Sequence, residues 1–339
     1  MDSLTQIVLG ASVGEAVAGK KIGNKAMLWG AVAGTIPDLD VLLEPYLDMV
    51  AYLATHRGFS HSFTFAILCA PLFAWLLTRI YPQGKAGFRD WWLLFFLGFV
   101  THYLLDAFTT WGTQLFSPFS SYRVAFYSIF VIDPLYTLPF LALLLIAAFY
   151  PRRSSRRRTL NYLGLSLSTL YLGVTVVNKQ LANSAFEKGL AFKNISYESY
   201  ISKPTPLNSV LWSITAQTEE GYVTAYYSLL DGEIPTEFTY LPGNHHLLEP
   251  WRGSPKLEKL IEITKGYYTV EKTEEGVVIN DLRFGKFNSW TNNVPSEFVF
   301  RYQLTEQGGE LLFEQNQFRF KPDGDYLMAF LGRIGGQKD

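Results

Sequence analysis

Long apolar runs with few charged residues, all before residue 178 of this 339-residue chain, restrict what it can fold into. Four such runs lie at 62–78, 91–105, 129–150 and 159–177. Apolar stretches of roughly 17–22 residues match the length that an α-helix needs to cross the hydrocarbon core of a membrane. Two further apolar segments, 4–19 and 26–36, are short for a full span. Gly10 and Gly14 of the first have the G-x-x-x-G spacing that is typical of close helix packing. We therefore expect an α-helical membrane bundle of about six segments, four of them clear transmembrane helices.

The character of the chain changes near residue 178. Aromatic and β-branched residues then alternate with polar residues, in segments that glycine-containing turns separate. The segments with this pattern are 209–217, 221–229, 267–270, 297–303 and 310–320, and one helix is expected at 256–264. The sequence thus predicts a helical transmembrane domain at 1–178 and a soluble, mainly antiparallel β domain at 179–339.

Basic residues between the apolar runs predict the orientation of the chain. They cluster at 20–25, 79–89 and 152–158. Lys and Arg are enriched in the cytoplasmic loops of membrane proteins, and one topology makes all three loops cytoplasmic. That topology places 37–61, 107–128 and the whole β domain on the outer side. We expect a multi-pass protein of the cytoplasmic membrane with an extracytoplasmic C-terminal domain.

Charge and cysteine content exclude several classes of function. The net charge is −1, and no basic field is present that would bind nucleic acid. Cys69 is the only cysteine of the chain. A single thiol excludes an intramolecular disulfide and a cysteine-based zinc site.

Three polar groupings interrupt the apolar setting of the first domain. They are Asp38 with Asp40, then His56 with Arg57, Ser60 and His61, and finally His102 with Asp106. Ionisable residues among membrane segments are costly to bury, so they indicate a functional site. His102 and Asp106 lie four residues apart and therefore project from the same face of a helix. The predicted topology brings all three groupings to the outer membrane face.

Imidazole and carboxylate side chains in these groupings are typical metal ligands. Mixed nitrogen and oxygen donors suit zinc, and they also suit manganese or iron. More donors are present than one catalytic ion needs, so the site is expected to hold one or two ions. The predicted ligands are Asp38, Asp40, His56, His61, His102 and Asp106.

Each grouping also has a purely structural interpretation. An intramembrane histidine such as His102 can hydrogen-bond a neighbouring helix, and Asp38 and Asp40 can cap a turn. The convergence of three groupings on one membrane face favours the metal site. Ser60 is placed to cap the helix that starts near Ser62.

Three further polar residues of the helical domain, Gln6, Glu15 and Asp133, are candidates for supporting the site. We interpret Gln6 and Glu15 as polar packing within the first helix. Asp133 stands before Pro134, a pattern typical of a helix N-cap followed by proline at the first helical position.

Five motifs carry a resemblance to a known family. They are M-D-S-L-T-Q at the start, G-T-I-P-D-L-D at 34–40, H-R-G-F-S-H-S at 56–62, T-H-Y-L-L-D at 101–106 and I-D-P-L-Y-T-L-P at 132–139. Residues 1–178 resemble the YdjM-type family of predicted inner-membrane, metal-dependent hydrolases. Many members have Thr-His near the N-terminus, where this chain has Thr5-Gln6. A fainter similarity to zinc-dependent phospholipases C rests on the H-x-x-x-D pair.

The resemblance implies metal-dependent hydrolysis, which we expect at the outer membrane face on a phosphoester of a lipid or lipid-linked substrate. Arg57 would stabilise charge on the phosphate or, equally, anchor the chain at the lipid headgroups. Asp40 would act as the general base, and Ser60 is a further catalytic candidate. One alternative is a non-enzymatic envelope protein with a structural metal and a partner-binding β domain. A metal or ion transporter is a weaker alternative, because the inner halves of the four runs lack charged residues.

Overall fold

The computed structural model describes residues 1–274, 276–287, 290–291, 296–317 and 324–337. The chain divides into two compact units. The first comprises Met1–Leu42, Thr55–Val176 and Pro206–Asn208. The second comprises Leu43–Ala54, Val177–Thr205 and Ser209–Asp339.

The N-terminal region is helical. Its α-helices are α1 (Ser3–Ile22), α2 (Asn24–Thr35), α3 (Met49–Thr55), α4 (Phe63–Ile80), α5 (Phe88–Ala107), α6 (Pro134–Ala148) and α7 (Ser155–Phe192). A 3-10 helix, Ile36–Tyr46, continues the chain from α2, and a short 3-10 turn, Phe59–His61, precedes α4.

Three helical segments among the described residues are long and apolar enough to cross a membrane, namely Asn24–Tyr46, Phe63–Ile80 and Ser155–Phe192. Helix α6 is apolar but contains only 15 residues. It is shorter than the predicted run at 129–150 because the helix starts only at Pro134, after the Asp133 cap. The predicted fold class is confirmed, since a helical region with candidate membrane spans precedes a domain of antiparallel sheets.

Helices α1 and α2 cross at very short range through four glycines. A Cβ atom added to Gly10 would overlap the carbonyl oxygen of Gly30, and one added to Gly34 would overlap that of Gln6. Gly14 is equally close to the backbone of α2. The G-x-x-x-G spacing in α1 therefore indicated correctly a helix contact that only glycine permits.

Helices α4 and α5 form the core beside this crossing. Small residues on one face of α4, including Ala66 and Ala70, are fully buried with the aromatic residues Phe95 and Phe99 of α5. Small side chains on one helix and large ones on the other allow close packing without voids. This packing fixes α5, the helix that carries His102 and Asp106.

Among its described residues, the C-terminal region contains two four-stranded antiparallel sheets. The first has the order β1 (Ser199–Pro204), β2 (Leu211–Gln217), β3 (Gly221–Ser228) and β4 (Thr239–Pro242). The second has the order β5 (Tyr268–Thr273), β6 (Gly276–Asp281), β7 (Phe300–Gln307) and β8 (Glu310–Gln317). Helices α8 (Pro255–Thr264) and α9 (Gly324–Ile334) complete the region.

The predicted strands correspond to β2, β3, β5, β7 and β8, and the predicted helix to α8. Strands β1, β4 and β6 were not predicted from the sequence. Residues 318–320 of the predicted strand at 310–320 lie outside the described part of the chain. One face of the first sheet, including Trp212 and Ile214, packs on Ala182, Phe186 and Leu190 at the end of α7.

Candidate metal centre

Two short 3-10 segments and one long helix bring the three polar groupings together. The 3-10 helix after α2 carries Asp38 and Asp40. Arg57 adopts a left-handed conformation with φ of 53°, which turns the chain sharply before the 3-10 turn that contains His61. Helix α5 holds His102 and Asp106 one turn apart.

Ser62, rather than Ser60, caps helix α4. The Ser62 side chain accepts a hydrogen bond from the backbone N–H of Phe65 at 3.1 Å, so the prediction of a Ser60 cap was wrong. The reason is that Ser60 belongs to the preceding 3-10 turn. Its hydroxyl lies 3.0 Å from His61 Nδ1 and donates to Asp40 Oδ2 at 3.4 Å.

Asp38, His61, His102 and Asp106 form a four-residue cluster in which the donor atoms lie within 4.8 Å of one another. The two histidine Nε2 atoms are 3.2 Å apart. Asp38 Oδ1 lies 3.3 Å from His61 Nε2 and 3.4 Å from His102 Nε2. Asp106 Oδ2 lies 3.5 Å and 3.4 Å from the same two nitrogens.

These separations fit a tetrahedral metal site. Zinc binds histidine nitrogen and carboxylate oxygen at about 2.0–2.2 Å, so the edges of a zinc tetrahedron measure about 3.3–3.6 Å. Five of the pairs of donor atoms in the four-residue cluster lie 3.2–3.5 Å apart. The donor set of two imidazoles and two carboxylates suits zinc and other divalent ions.

Hydrogen bonds on the far side of each imidazole direct its Nε2 lone pair into the four-residue cluster. His102 Nδ1 lies 2.8 Å from the carbonyl oxygen of Gly34, which can only accept a hydrogen bond, so we assign the proton to Nδ1. His61 Nδ1 faces the Ser60 hydroxyl and, at 3.5 Å, Asp40 Oδ2. Carbonyl and carboxylate partners of this kind orient metal-binding histidines in proteins.

Asp106 is fully buried and is held by three groups, two from the N-terminal segment and one from the turn that precedes α4. Its Oδ1 accepts a hydrogen bond from Gln6 Nε2 at 3.0 Å and also contacts the α-amino group of Met1. Arg57 Nε lies 3.3 Å from Oδ2, while Arg57 Nη1 donates to Thr109 Oγ1 at 2.9 Å. No described residue makes a hydrogen bond to Oδ2 itself, which leaves this oxygen directed at the two imidazoles.

His56 and Asp40 lie beside the four-residue cluster. His56 Nδ1 is 3.2 Å from Asp40 Oδ1, and the backbone N–H of Arg57 donates to Asp40 Oδ2 at 2.7 Å. Burial lowers the pKa of His56, and the hydrogen bond to Asp40 opposes this change. The six predicted ligands therefore divide into the four of the cluster and this neighbouring pair, which contacts His61 through Asp40.

The connection between α5 and α6, which we call the aromatic loop (residues 108–132), contributes to the site and was not predicted. Arg123 Nη1 donates to the carbonyl oxygen of His56 at 2.9 Å. The Trp111 ring lies 5.6 Å from the His56 ring, and the Arg123 guanidinium lies 5.7 Å from the same indole. The sequence contained one indication that Arg123 has a specific role, because it is the only charged residue between 107 and 132.

The other two supporting candidates take part in helix structure. Arg157 of α7 binds both carboxylate oxygens of Glu15, at 2.6 Å and 2.5 Å. Asp133 caps α6 by accepting from the backbone N–H of Leu135 at 3.0 Å, as its sequence position before Pro134 predicted. Of the three residues Gln6, Glu15 and Asp133, only Gln6 contacts a member of the four-residue cluster among the contacts described.

The chain has helices long and apolar enough to cross a membrane, and three of the four residues of its metal-ligand cluster are buried. These features define an integral membrane protein with a candidate metal centre. The sequence profile of the YdjM inner membrane protein family matches residues 1–182, which is more than half of the chain. The chain therefore belongs to this family, and the resemblance read from its motifs is confirmed.

Two curated proteins are similar to the helical part of the chain. The chain is 33% identical over 153 residues to the uncharacterized protein YfhP of Bacillus subtilis (strain 168), and this alignment covers 43% of the chain and 46% of YfhP. The chain is 28% identical over 109 residues to the inner membrane protein YbcI of Escherichia coli (strain K12), and this alignment covers 32% of the chain and 61% of YbcI. No solved structure matches the chain.

Proposed function

We propose that the protein is a membrane-embedded, metal-dependent hydrolase that acts at the membrane surface on a phosphoester of a lipid or lipid-linked molecule. The four-residue cluster is the observation that carries this proposal. Two imidazoles and two carboxylates converge at the separations of a tetrahedral site. Such a donor set, held inside a membrane bundle, is costly unless a cation balances it.

Asp38, His61, His102 and Asp106 would hold the ion, with zinc as the first choice and manganese or iron as alternatives. When bound, a divalent ion at such a site supplies a more acidic water and polarises the group to be cleaved. The chain's own residues orient the ligands. Gln6 and Arg57 position the Asp106 carboxylate, and the Asp40–Ser60 pair holds the His61 imidazole.

Access to the four-residue cluster supports a lipid substrate. His61, His102 and Asp106 are buried, whereas the Asp38 side chain is 22% exposed. Leu39, the next residue in the chain, is 49% exposed, and Phe59 at the 3-10 turn is 45% exposed. Apolar side chains beside Asp38, the partly exposed member of the four-residue cluster, suit a substrate whose polar head enters the site while its tail stays in the bilayer.

The proposal includes an orientation in which the cluster and the β domain lie outside the cytoplasm. The basic loops at 20–25, 79–89 and 152–158 support it through the positive-inside preference. A periplasmic reporter enzyme fused after Asp339 should be active. A cytoplasmic reporter that is active at the same position would contradict this part of the proposal.

One observation favours a second candidate function, a structural metal in a non-enzymatic envelope protein. Structural zinc sites are closed by four protein ligands, whereas catalytic sites usually have three and leave one position open. The four-residue cluster already offers four donors. In a hydrolase, Asp38 would have to leave its coordination position on the metal so that substrate or water could bind there.

An assay on metal-loaded protein in liposomes distinguishes the two functions. Phosphate or headgroup release would be measured from phospholipids and from polyprenyl phosphates, with wild type beside Asp38→Asn. Asp90→Asn is the matched control, because Asp90 forms an exposed ion pair with Lys21 at 2.7 Å. Hydrolysis by wild type and the control, but not by Asp38→Asn, is expected. Absence of hydrolysis in fully loaded wild type, with a large loss of stability on metal removal, would favour the structural metal.

A further inference from the structure

The aromatic loop presents an uncharged, apolar surface. Its only charged residue, Arg123, is buried. The exposed side chains are instead aromatic, with Phe119 at 87% and Tyr122 at 67% exposure, and Phe116 and Phe126 about half exposed. A cluster of large exposed apolar side chains of this kind marks a contact with an apolar partner.

Two contacts fix the position of this surface relative to the candidate membrane span Phe63–Ile80. The backbone N–H of Phe63, the first residue of that span, donates to the carbonyl oxygen of Leu115 at 3.0 Å. The rings of Phe63 and Phe116 lie 5.9 Å apart. Phe116 is therefore level with the end of a membrane span, the depth at which aromatic residues concentrate in membrane proteins.

The loop is held at this level by several contacts. Thr113 and Val124 exchange two backbone hydrogen bonds of 3.0 Å, which close the loop into a hairpin-like turn. The backbone N–H of Gln114 donates to the carbonyl oxygen of Arg57 at 3.0 Å. Together with the bond from Arg123 to His56, these contacts attach the base of the loop to the segment that leads into the four-residue cluster.

We infer that the aromatic loop lies in the headgroup region of the lipid bilayer, with Phe119 and Tyr122 inserted among the lipids. The partner is the bilayer itself, because the surface is continuous with the end of a candidate span and is uncharged. This membrane contact goes beyond the proposed hydrolysis and holds equally for a structural metal. Its consequence is that the four-residue cluster opens at headgroup depth rather than into bulk water.

Spin-label accessibility of the full-length protein in liposomes tests this inference. Cys69→Ala removes the only cysteine, and Phe119→Cys then carries a nitroxide label. Collision rates with oxygen, which concentrates in lipid, and with a water-soluble nickel chelate are measured. Leu72→Cys on the exposed apolar face of α4 is the lipid control, and Tyr240→Cys on β4 is the water control.

The oxygen-to-chelate ratio at position 119 should be several-fold higher than at position 240 and should approach the ratio at position 72. Tyr122→Cys provides a second position in the same loop, so that a folding defect in one variant does not decide the test. Ratios at both loop positions equal to the ratio at position 240 would overturn the inference. The exposed aromatic surface would then face water or another protein.

Discussion

His61 and His102 face each other through their Nε2 atoms, which lie 3.2 Å apart. Each ring has a hydrogen-bond acceptor on its Nδ1 side, Gly34 for His102 and the Ser60–Asp40 pair for His61. Both Nε2 atoms therefore face one another and two carboxylate oxygens. A cation at the centre of these four groups would offset the charge of the two carboxylates, and this arrangement is the basis for the metal centre we propose.

Asp40 should influence metal affinity without being a ligand. The structure places it behind His61, and loss of such an outer partner typically weakens metal binding about 10–100-fold. We therefore expect Asp40→Asn to retain the metal with reduced affinity, whereas His61→Ala should lose it. Competition titration against a chelator measures both affinities. Equally complete loss in the two variants would make Asp40 a direct ligand.

Arg57 should stabilise the metal-free protein far more than an exposed basic residue does. Its guanidinium faces the fully buried Asp106 carboxylate, and removal of one partner of a buried pair costs about 3–5 kcal/mol. Arg57→Met should therefore lower the unfolding temperature of the metal-free protein strongly, and added zinc should restore part of the loss. Thermal unfolding in detergent measures the shift.

Lys21→Met is the matched control for this measurement, because Lys21 pairs with Asp90 at the surface. It should cost no more than about 1 kcal/mol. Equal effects of the two substitutions would show that Arg57 does not balance the charge of Asp106.

The glycine crossing of α1 and α2 should tolerate no added methyl group. A Cβ atom at Gly30 would overlap the carbonyl oxygen of Gly10, so Gly30→Ala must separate the helices, at a cost of about 1–3 kcal/mol. At Gly173, apart from the neighbouring residues and backbone of its own helix, no described atom lies within 4 Å of an added Cβ, and Gly173→Ala should be neutral or stabilising. Thermal unfolding of the two variants side by side tests this, and equal stability would contradict the close crossing.

Lys203 should make the stability of the β domain rise with pH. Burial lowers the pKa of Lys203 from 10.5 to about 7, with Asp281 opposing the change and Arg283 adding to it. Between about pH 7 and pH 10.5 the unfolded chain binds this proton and the folded chain does not. The free energy of unfolding should therefore increase across that window, by at most about 1.4 kcal/mol per pH unit.

Pulse proteolysis of the full-length protein, monitored through cleavage within the β domain, measures this dependence. Lys203→Met should flatten the rise, whereas the exposed control Lys272→Met should leave it unchanged. A rise that persists in Lys203→Met would assign the pH dependence to another group.

Local sequence patterns predicted much of the helical region. Apolar runs located the helices, the G-x-x-x-G spacing indicated the close crossing of α1, and the four-residue interval placed His102 and Asp106 on one face. These features depend on the geometry of one helix alone, so they can be read from the sequence.

The different roles of His56 and His61 in the H-R-G-F-S-H-S motif could not be predicted from the geometry of one helix. Whether His56 or His61 enters the four-residue cluster depends on the left-handed turn at Arg57 and on the 3-10 turn after it. The position of Arg123 depends on how the aromatic loop folds back to His56. Tertiary contacts of this kind leave no periodic signal. The strands β1, β4 and β6 were missed because their residues show too little alternation.

Elemental analysis of the purified protein tests the central claim most directly. Wild type is compared with His61→Ala and His102→Ala, each folded and inserted in the membrane. We predict that wild type carries a stoichiometric divalent ion, with zinc as the first expectation, and that both variants lack it. Wild type that contains no metal and takes up none from added zinc, manganese or iron would contradict the metal centre and, with it, the proposed hydrolysis.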